Sequence, residues 1–285
     1  MIPSAFDYVR ASSLADAIGR AQGDPDASKF IAGGHTLLPT LKLRLASPSL
    51  LIDIGGIIDL RGIEIGDASV RIGALTTHAE LLGCEPLHAA LPIFRQAAGL
   101  IADPQVRNRG TIGGSLANAD PASDWPAVVI ALKAELELEG PNGRRRVAAK
   151  DFFLDIMTTA LEAEEVLVAV YISRPTPRVQ YRYRKIRHPA SGYAVVGVAA
   201  AVAVEDDVVV EAAIGVTGAT ARAFAADTAT AFLVGKSLSS QNIEQAASII
   251  SEHAECLADH YAAADYRKHL VKTEVARALS SLKAA

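Results

Sequence analysis

The sequence predicts an α+β protein, and three observations carry that expectation. Short strands and helices alternate through the first half, long strands are then grouped, and helices close the chain. A double-proline break, Arg174-Pro175-Thr176-Pro177, separates the two parts. In order, Ser13 opens a helix that runs to about residue 22, and 29–32 is a strand. A short helix over 37–45 and a strand over 50–54 follow, and Gly55-Gly56 turns the chain. Strands are expected near 62–65 and 70–74, with a capping box at Thr77-His78-Ala79-Glu80. A helix over 91–101 leads to a second glycine-rich segment, and Trp125 begins a helix to 132. Strands 134–140 and 144–148 flank the hairpin signal Pro141-Asn142-Gly143, and 165–173 is another strand. Past the proline break come strands 180–186, 193–204 and 208–216, then helices ending with 264–284.

Composition narrows the function classes. At 285 residues and 50% hydrophobic, the chain can bury a sizeable core in two or three sub-domains. Its 28 basic and 32 acidic residues give a net charge of -4, which makes no electrostatic case for nucleic acid or an anionic membrane. The start, MIPSAFDYVRASS, lacks a signal peptide's basic and apolar regions, and no run nears the ~20 apolar residues of a membrane span. Two cysteines, Cys84 and Cys256, exclude a disulfide scaffold and cannot supply the four thiolates of an iron–sulfur cluster. The seven histidines lack zinc spacing, so no metal is expected on this chain, and a cytoplasmic setting is the default.

Two glycine-rich segments carry most of the information. Ala32-Gly33-Gly34-His35-Thr36 and Thr111-Ile112-Gly113-Gly114-Ser115 lie about eighty residues apart. Each joins an apolar strand end, a Gly-Gly pair and a short polar side chain. Paired glycines permit positive φ and close ligand approach, and successive N–H groups form an anion-binding nest. Two such nests could clasp one pyrophosphate, the mark of a nucleotide cofactor. The second is followed by a polar run through Asn118 to Asp124 that needs hydrogen-bond partners, which a cofactor could supply. Asp124 suits either a ribose or ribityl hydroxyl or the N-cap of the Trp125 helix. His35 suits either a cofactor contact or a turn residue capping the next helix. A Gly-x-Gly-x-x-Gly at a first strand–helix turn is absent, which disfavours a Rossmann NAD site.

Strand alternation puts Tyr181, Tyr183 and Lys185 on one face and Arg182, Arg184 and Ile186 on the other. The first face suits a cofactor wall or a subunit contact better than a nucleic-acid surface. Arg144-Arg145-Arg146 is expected to face Glu135, Glu137 and Glu139 across the hairpin as a solvated charge set.

The segments AGGHTLLP and NRGTIGGSLANADPASD together resemble the FAD-binding subunit of the molybdenum hydroxylases, including the aerobic carbon monoxide dehydrogenase medium subunit and the xanthine dehydrogenase flavin domain. LIDIGGI, IADPQVRNRG, EGPNGRR and DYRKHL extend that resemblance over nearly the whole chain. It implies a two-sub-domain FAD-binding fold similar to the vanillyl-alcohol oxidase (PCMH) type, plus a C-terminal domain of antiparallel sheet and helices. The expected divisions are 1–55, 56–176 and 177–285. By motif, the resemblance places FAD against Ala32, Gly33, Gly34, His35, Thr36, Thr111, Ile112, Gly113, Gly114 and Ser115. It adds Asn118, Asp124, Leu167 and Lys185, and Tyr193 beside the isoalloxazine ring. Ser115 stands where many relatives have Asn, so one contact is expected to be weaker or water-mediated. The implied role is electron transfer, with no catalytic residue on this chain. Partners would be a large molybdenum-cofactor subunit and a small subunit with [2Fe-2S] clusters, in a dimer of heterotrimers. A stand-alone flavin oxidoreductase and a FAD-free scaffold are the alternatives.

Overall fold

The computed structural model describes residues 2–174 and 178–282. Residues 175–177 of the expected proline break lie outside that range.

The chain begins with β1 (Asp7–Arg10), α1 (Leu14–Ala21), β2 (Ser28–Ile31), α2 (Leu37–Lys42) and β3 (Leu50–Asp53). The three strands form a parallel sheet ordered β1-β3-β2. Ser13 caps α1 by accepting from the Asp16 N–H, as its position suggests. The α1 face bearing Ala17, Ile18 and Ala21 is buried against this sheet.

Next come β4 (Ile63–Ile65), β5 (Ser69–Gly73), α3 (His78–Gly83), α4 (Glu85–Ala90), α5 (Ile93–Ala98), α6 (Pro104–Arg107), α7 (Ile112–Asn118) and α8 (Trp125–Ala131). They are followed by β6 (Glu135–Gly140), β7 (Gly143–Ala148), α9 (Ala149–Phe152), β8 (Phe153–Asp155), β9 (Thr158–Thr159) and β10 (Val166–Ser173). An antiparallel sheet ordered β4-β5-β10-β6-β7 organises this part. The Thr77 capping box forms at α3 with both reciprocal bonds present. The single helix expected over 91–101 is instead α5 alone, preceded by α4, because Pro92 acts as the N-cap of α5.

The last part holds β11 (Val179–Arg187), β12 (Ala194–Glu205), β13 (Val208–Thr217), β14 (Phe224–Ala225), α10 (Asp227–Leu233), α11 (Ser240–His253) and α12 (Ala264–Ser280). Its four strands form an antiparallel sheet in chain order. β12 is the long apolar run expected to be a buried strand, and α11 and α12 cover one sheet face. No described helix is long and apolar enough to cross a membrane.

α8 joins the two larger parts. Its sequence, WPAVVIA, has no polar side, and every residue is buried. Such a helix must be enclosed on all sides. Phe94 packs on Trp125 with ring centroids 5.5 Å apart, while β12 and β13 cover α8 from the C-terminal part. The polar run before α8 finds its partners largely in protein. The Pro121 carbonyl accepts from Gly218 N–H at 2.7 Å, and the Thr217 hydroxyl donates to the Pro121 and Ser123 carbonyls at 2.7 and 2.8 Å. Cofactor hydroxyls are therefore not needed to satisfy that stretch of backbone.

The hairpin charge set needs a correction. Arg144 and Arg146 pair with Glu139, Glu137 and Glu135, as alternation requires. Arg145 points to the other face and grips Glu165 through two hydrogen bonds of 2.7 Å. The Glu165 side chain is only 6% exposed. Arg145's hydrogen bonds hold its carboxyl below the usual carboxylate range. Arg145→Ala should cost about 1–3 kcal/mol, the scale of a nearly buried carboxylate stripped of its partner, against roughly 0–1 for exposed Arg144→Ala. Because the folded-state pKa of Glu165 is depressed, the Arg145 contribution is complete above the ordinary carboxylate range. It fades as pH falls through that lowered value. Urea denaturation of both variants at neutral and acid pH checks the ranking and the sign.

Candidate functional site

A cleft of about 910 Å³ opens where all three parts of the chain meet. That volume falls in the range of cofactor sites. One wall comes from the end of β2 and the loop into α2. A second comes from α7 and the start of β10. The third comes from β11 and the β11–β12 connection.

Residues 32–36 leave the edge strand β2 and enter α2 with Gly34 at φ 74°. None of their backbone N–H groups donates to another described residue. A run of free donors at a positive-φ glycine is the nest the sequence suggests. His35 makes no side-chain cap at α2, whose N-cap is Thr36 without a side-chain bond, so its capping role is not realised.

The second glycine pair is a different object. It lies in the first turn of α7, and neither glycine has positive φ. Thr111 is the N-cap and accepts from Gly114 N–H at 3.1 Å. Ile112 N–H donates to the Thr76 carbonyl at 3.0 Å, Gly113 N–H to Ala74 at 2.8 Å, and Ser115 N–H to Thr111 at 3.0 Å. Protein has already taken four of the five donors, those of Ile112 to Ser115, that the nest reading assigned to a ligand. Gly113 is needed for packing, since a Cβ there would lie 2.4 Å from the Ala74 methyl. Ile112 departs furthest from expectation. Its side chain is wholly buried in the central core and forms no part of the cleft wall.

The two glycine segments touch. A Cβ on Gly33 would fall 2.1 Å from the Arg109 carbonyl oxygen, so only glycine permits this backbone-to-backbone approach.

The remaining expected residues line the cleft: Thr111, Gly113, Gly114, Ser115, Asn118, Asp124, Leu167, Lys185 and Tyr193. Asp124 stands at the N-cap position of α8 but makes no side-chain cap there, and each of its oxygens accepts one hydrogen bond from protein. Its Oδ1 accepts the Tyr183 hydroxyl, and its Oδ2 accepts the Lys185 ammonium at 2.8 Å. Lys185 also donates to the Leu100 carbonyl at 3.2 Å. Burial pushes the Asp124 carboxyl up and the Lys185 ammonium down, and their mutual attraction opposes both shifts. Burial, then Asp124, pushes the Tyr183 phenol well above its ordinary value, so it remains a donor. The opposite strand face also follows the alternation: Arg182 donates to Ser281 at 2.8 Å and Arg184 to Glu274 at 2.6 Å, both tying β11 to the C-terminal helical layer.

Sequence reasoning missed His78, whose ring lines the cleft. Its Nδ1 accepts from the Trp125 indole at 3.0 Å, and burial lowers its pKa to about 4. The ring is therefore neutral, with its proton on Nε2. The capping box gave its backbone place but no sign of this role. Ser191 and Gly192 were also missed, having no motif of their own, as were Leu161, Glu162, Ala163 and Glu165 before β10.

Residues 4–175 match the family described as the FAD binding domain in molybdopterin dehydrogenase. Residues 181–282 match the CO dehydrogenase flavoprotein C-terminal domain. The chain is 38% identical to the carbon monoxide dehydrogenase medium chain of Afipia carboxidovorans, covering 100% of this chain and 99% of that one. It is 35% identical to the nicotine 6-hydroxylase medium subunit of Paenarthrobacter nicotinovorans, covering 96% of each. Among solved structures, a Cu,Mo-CO dehydrogenase matches with a TM-score of 0.97 at 38% identity, covering 100% and 99% of the two chains. Quinoline 2-oxidoreductase from Pseudomonas putida matches with 0.93 at 33%, covering 99% and 98%.

Gly33→Ala forces the two glycine segments apart. It should cut flavin retention by about tenfold or more and lower the melting temperature, as a backbone clash demands. Gly19→Ala, on α1 with open space around it, should match or slightly exceed wild-type stability. Flavin-to-protein ratios and thermal melts of the two variants provide the check.

Proposed function

Because the chain belongs to the family of FAD-binding subunits of molybdopterin dehydrogenases, with the C-terminal domain of CO dehydrogenase flavoproteins, we propose that it transfers electrons from partner iron–sulfur clusters to an external acceptor through its FAD. The run of free backbone donors at residues 32–36, opening into a cleft that also holds a buried cation, carries this reading.

The residues suit FAD. Backbone N–H groups from Ala32 to Thr36 would bind the pyrophosphate, with the Thr111 and Ser115 hydroxyls on the facing wall. Bound FAD supplies the redox chemistry, taking up and releasing electrons singly or in pairs. Leu167 gives an apolar surface, and Tyr193 a flat aromatic one, for the ring system. Lys185 presents a fixed ammonium to the cleft, and its positive charge would offset negative charge gained on reduction. Asp124 and Tyr183 hold that ammonium in place, and the lone pairs left on the Asp124 carboxylate would accept a ribityl hydroxyl, alongside Asn118, Ser115 and Thr111 on the cleft wall. Neutral His78 adds a polar edge without charge.

The partners in this proposal are a large molybdenum-cofactor subunit and a small [2Fe-2S] subunit, assembled as a dimer of heterotrimers in the cytoplasm. Purification of the tagged chain from its native host tests it. Released FAD, iron–sulfur absorbance and two co-purifying subunits are expected. A colourless intact complex would instead make the chain a scaffold, and substrate turnover by the lone chain would make it an independent flavoenzyme.

A further inference from the structure

Resting on the FAD reading, we propose that Tyr261 and His188 position the cleft loop that carries Tyr193, and that Arg267 holds Tyr261 in place through Asp259. The loop over 188–193 contributes Ser191, Gly192 and Tyr193 to the cleft wall. It closes on His188. That residue's N–H donates to the Tyr193 carbonyl at 2.8 Å, and its carbonyl accepts Gly192 N–H at 2.8 Å. The ring takes part as well, since Nδ1 accepts the Ala190 and Ser191 N–H groups, both at 3.3 Å. The orientation of one imidazole therefore sets the path of the loop.

That imidazole packs against Tyr261, with ring centroids 4.4 Å apart and planes tilted by 59°. Tyr261 lies in the connection between α11 and α12, remote from the cleft in sequence. It is 44% exposed and outside the hydrophobic clusters, so core packing does not account for its position. Its backbone is fixed instead. Asp259 Oδ1 accepts the Tyr261 and Ala262 N–H groups at 2.9 and 2.8 Å, an Asx turn. Asp259 Oδ2 accepts Arg267 Nη2 at 2.5 Å. These bonds, the Ala262 N–H foremost, hold the Asp259 carboxyl below its ordinary range. Arg267, buried at the start of α12, also donates to the Val195 carbonyl at 2.8 Å and the Gly218 carbonyl at 2.6 Å. One guanidinium thus ties α12, two segments of the C-terminal sheet and the turn that presents Tyr261. It falls within the DYRKHL motif, which the cofactor site leaves unexplained.

The test uses the purified complex with FAD bound and reads FAD release, bound-flavin fluorescence and thermal unfolding. Tyr261→Ala should release FAD about three- to tenfold faster, the range expected for one lost aromatic pair, and brighten the bound flavin. Tyr261→Phe, which keeps the ring, should match wild type. The Tyr261→Ala effect should vanish in a Tyr193→Ala background, because both act on one contact. Unchanged release and fluorescence in Tyr261→Ala, or the same increment with Tyr193 already removed, would overturn the positioning role while leaving the FAD site intact. Wild-type complex isolated without flavin would overturn the FAD reading, and this role with it.

Discussion

The cleft depends on one close approach. The backbone at Gly33 packs on the Arg109 carbonyl so tightly that a single methyl group has no room. That contact brings a loop from the parallel sheet against the entry to α7, and Gly113 repeats the arrangement against Ala74 on the other side of the helix start. Two glycines thus fix three backbone segments from separate regions within van der Waals distance. No side-chain interaction in the wall could hold them in place if these spacings opened, because packed backbone does not deform continuously.

With the segments locked together, hydrogen bonding divides their work. The α7 entry spends its N–H groups on Thr76, Ala74 and its own cap, which makes it a rigid support. The loop over 32–36 leaves an edge strand, where no neighbour claims its donors, and so keeps them for a ligand. The same economy governs the acidic side of the cleft. Asp124 pairs with Lys185 and Tyr183, and this makes possible a buried ammonium that would otherwise be driven neutral. α8, enclosed by both larger parts, has Asp124 at its N-cap and donates the Trp125 indole N–H to His78, so the core and the cleft share one foundation.

Local signals in the sequence were legible where a short segment decides its own structure. Ser13 and Thr77 cap the helices they precede, Pro141-Asn142-Gly143 turns the hairpin, and β11 alternates as its Tyr and Arg residues require. The site was legible as a set of segments, since fourteen of the fifteen residues named by motif line one cleft, Ile112 being the exception. Roles that depend on distant partners were not legible. A Gly-Gly pair looks alike in a loop and in a helix, and only the Thr76 and Ala74 carbonyls decide which it is. Asp124 reads as a cap or a ribose acceptor, and nothing local shows that Lys185, on a distant strand, reaches it. Arg145 reads as one of three equal arginines until alternation turns it toward Glu165. The β8–β9 pair is too short to show any period.

Amide hydrogen exchange on the protein with and without FAD tests the division of labour between the two glycine segments most directly. Residues 32–36 should exchange rapidly without FAD and gain strong protection with it, while 112–115 remain protected in both states. Protection gained at 112–115 with 32–36 unchanged would contradict the account, placing the phosphates on the helix start.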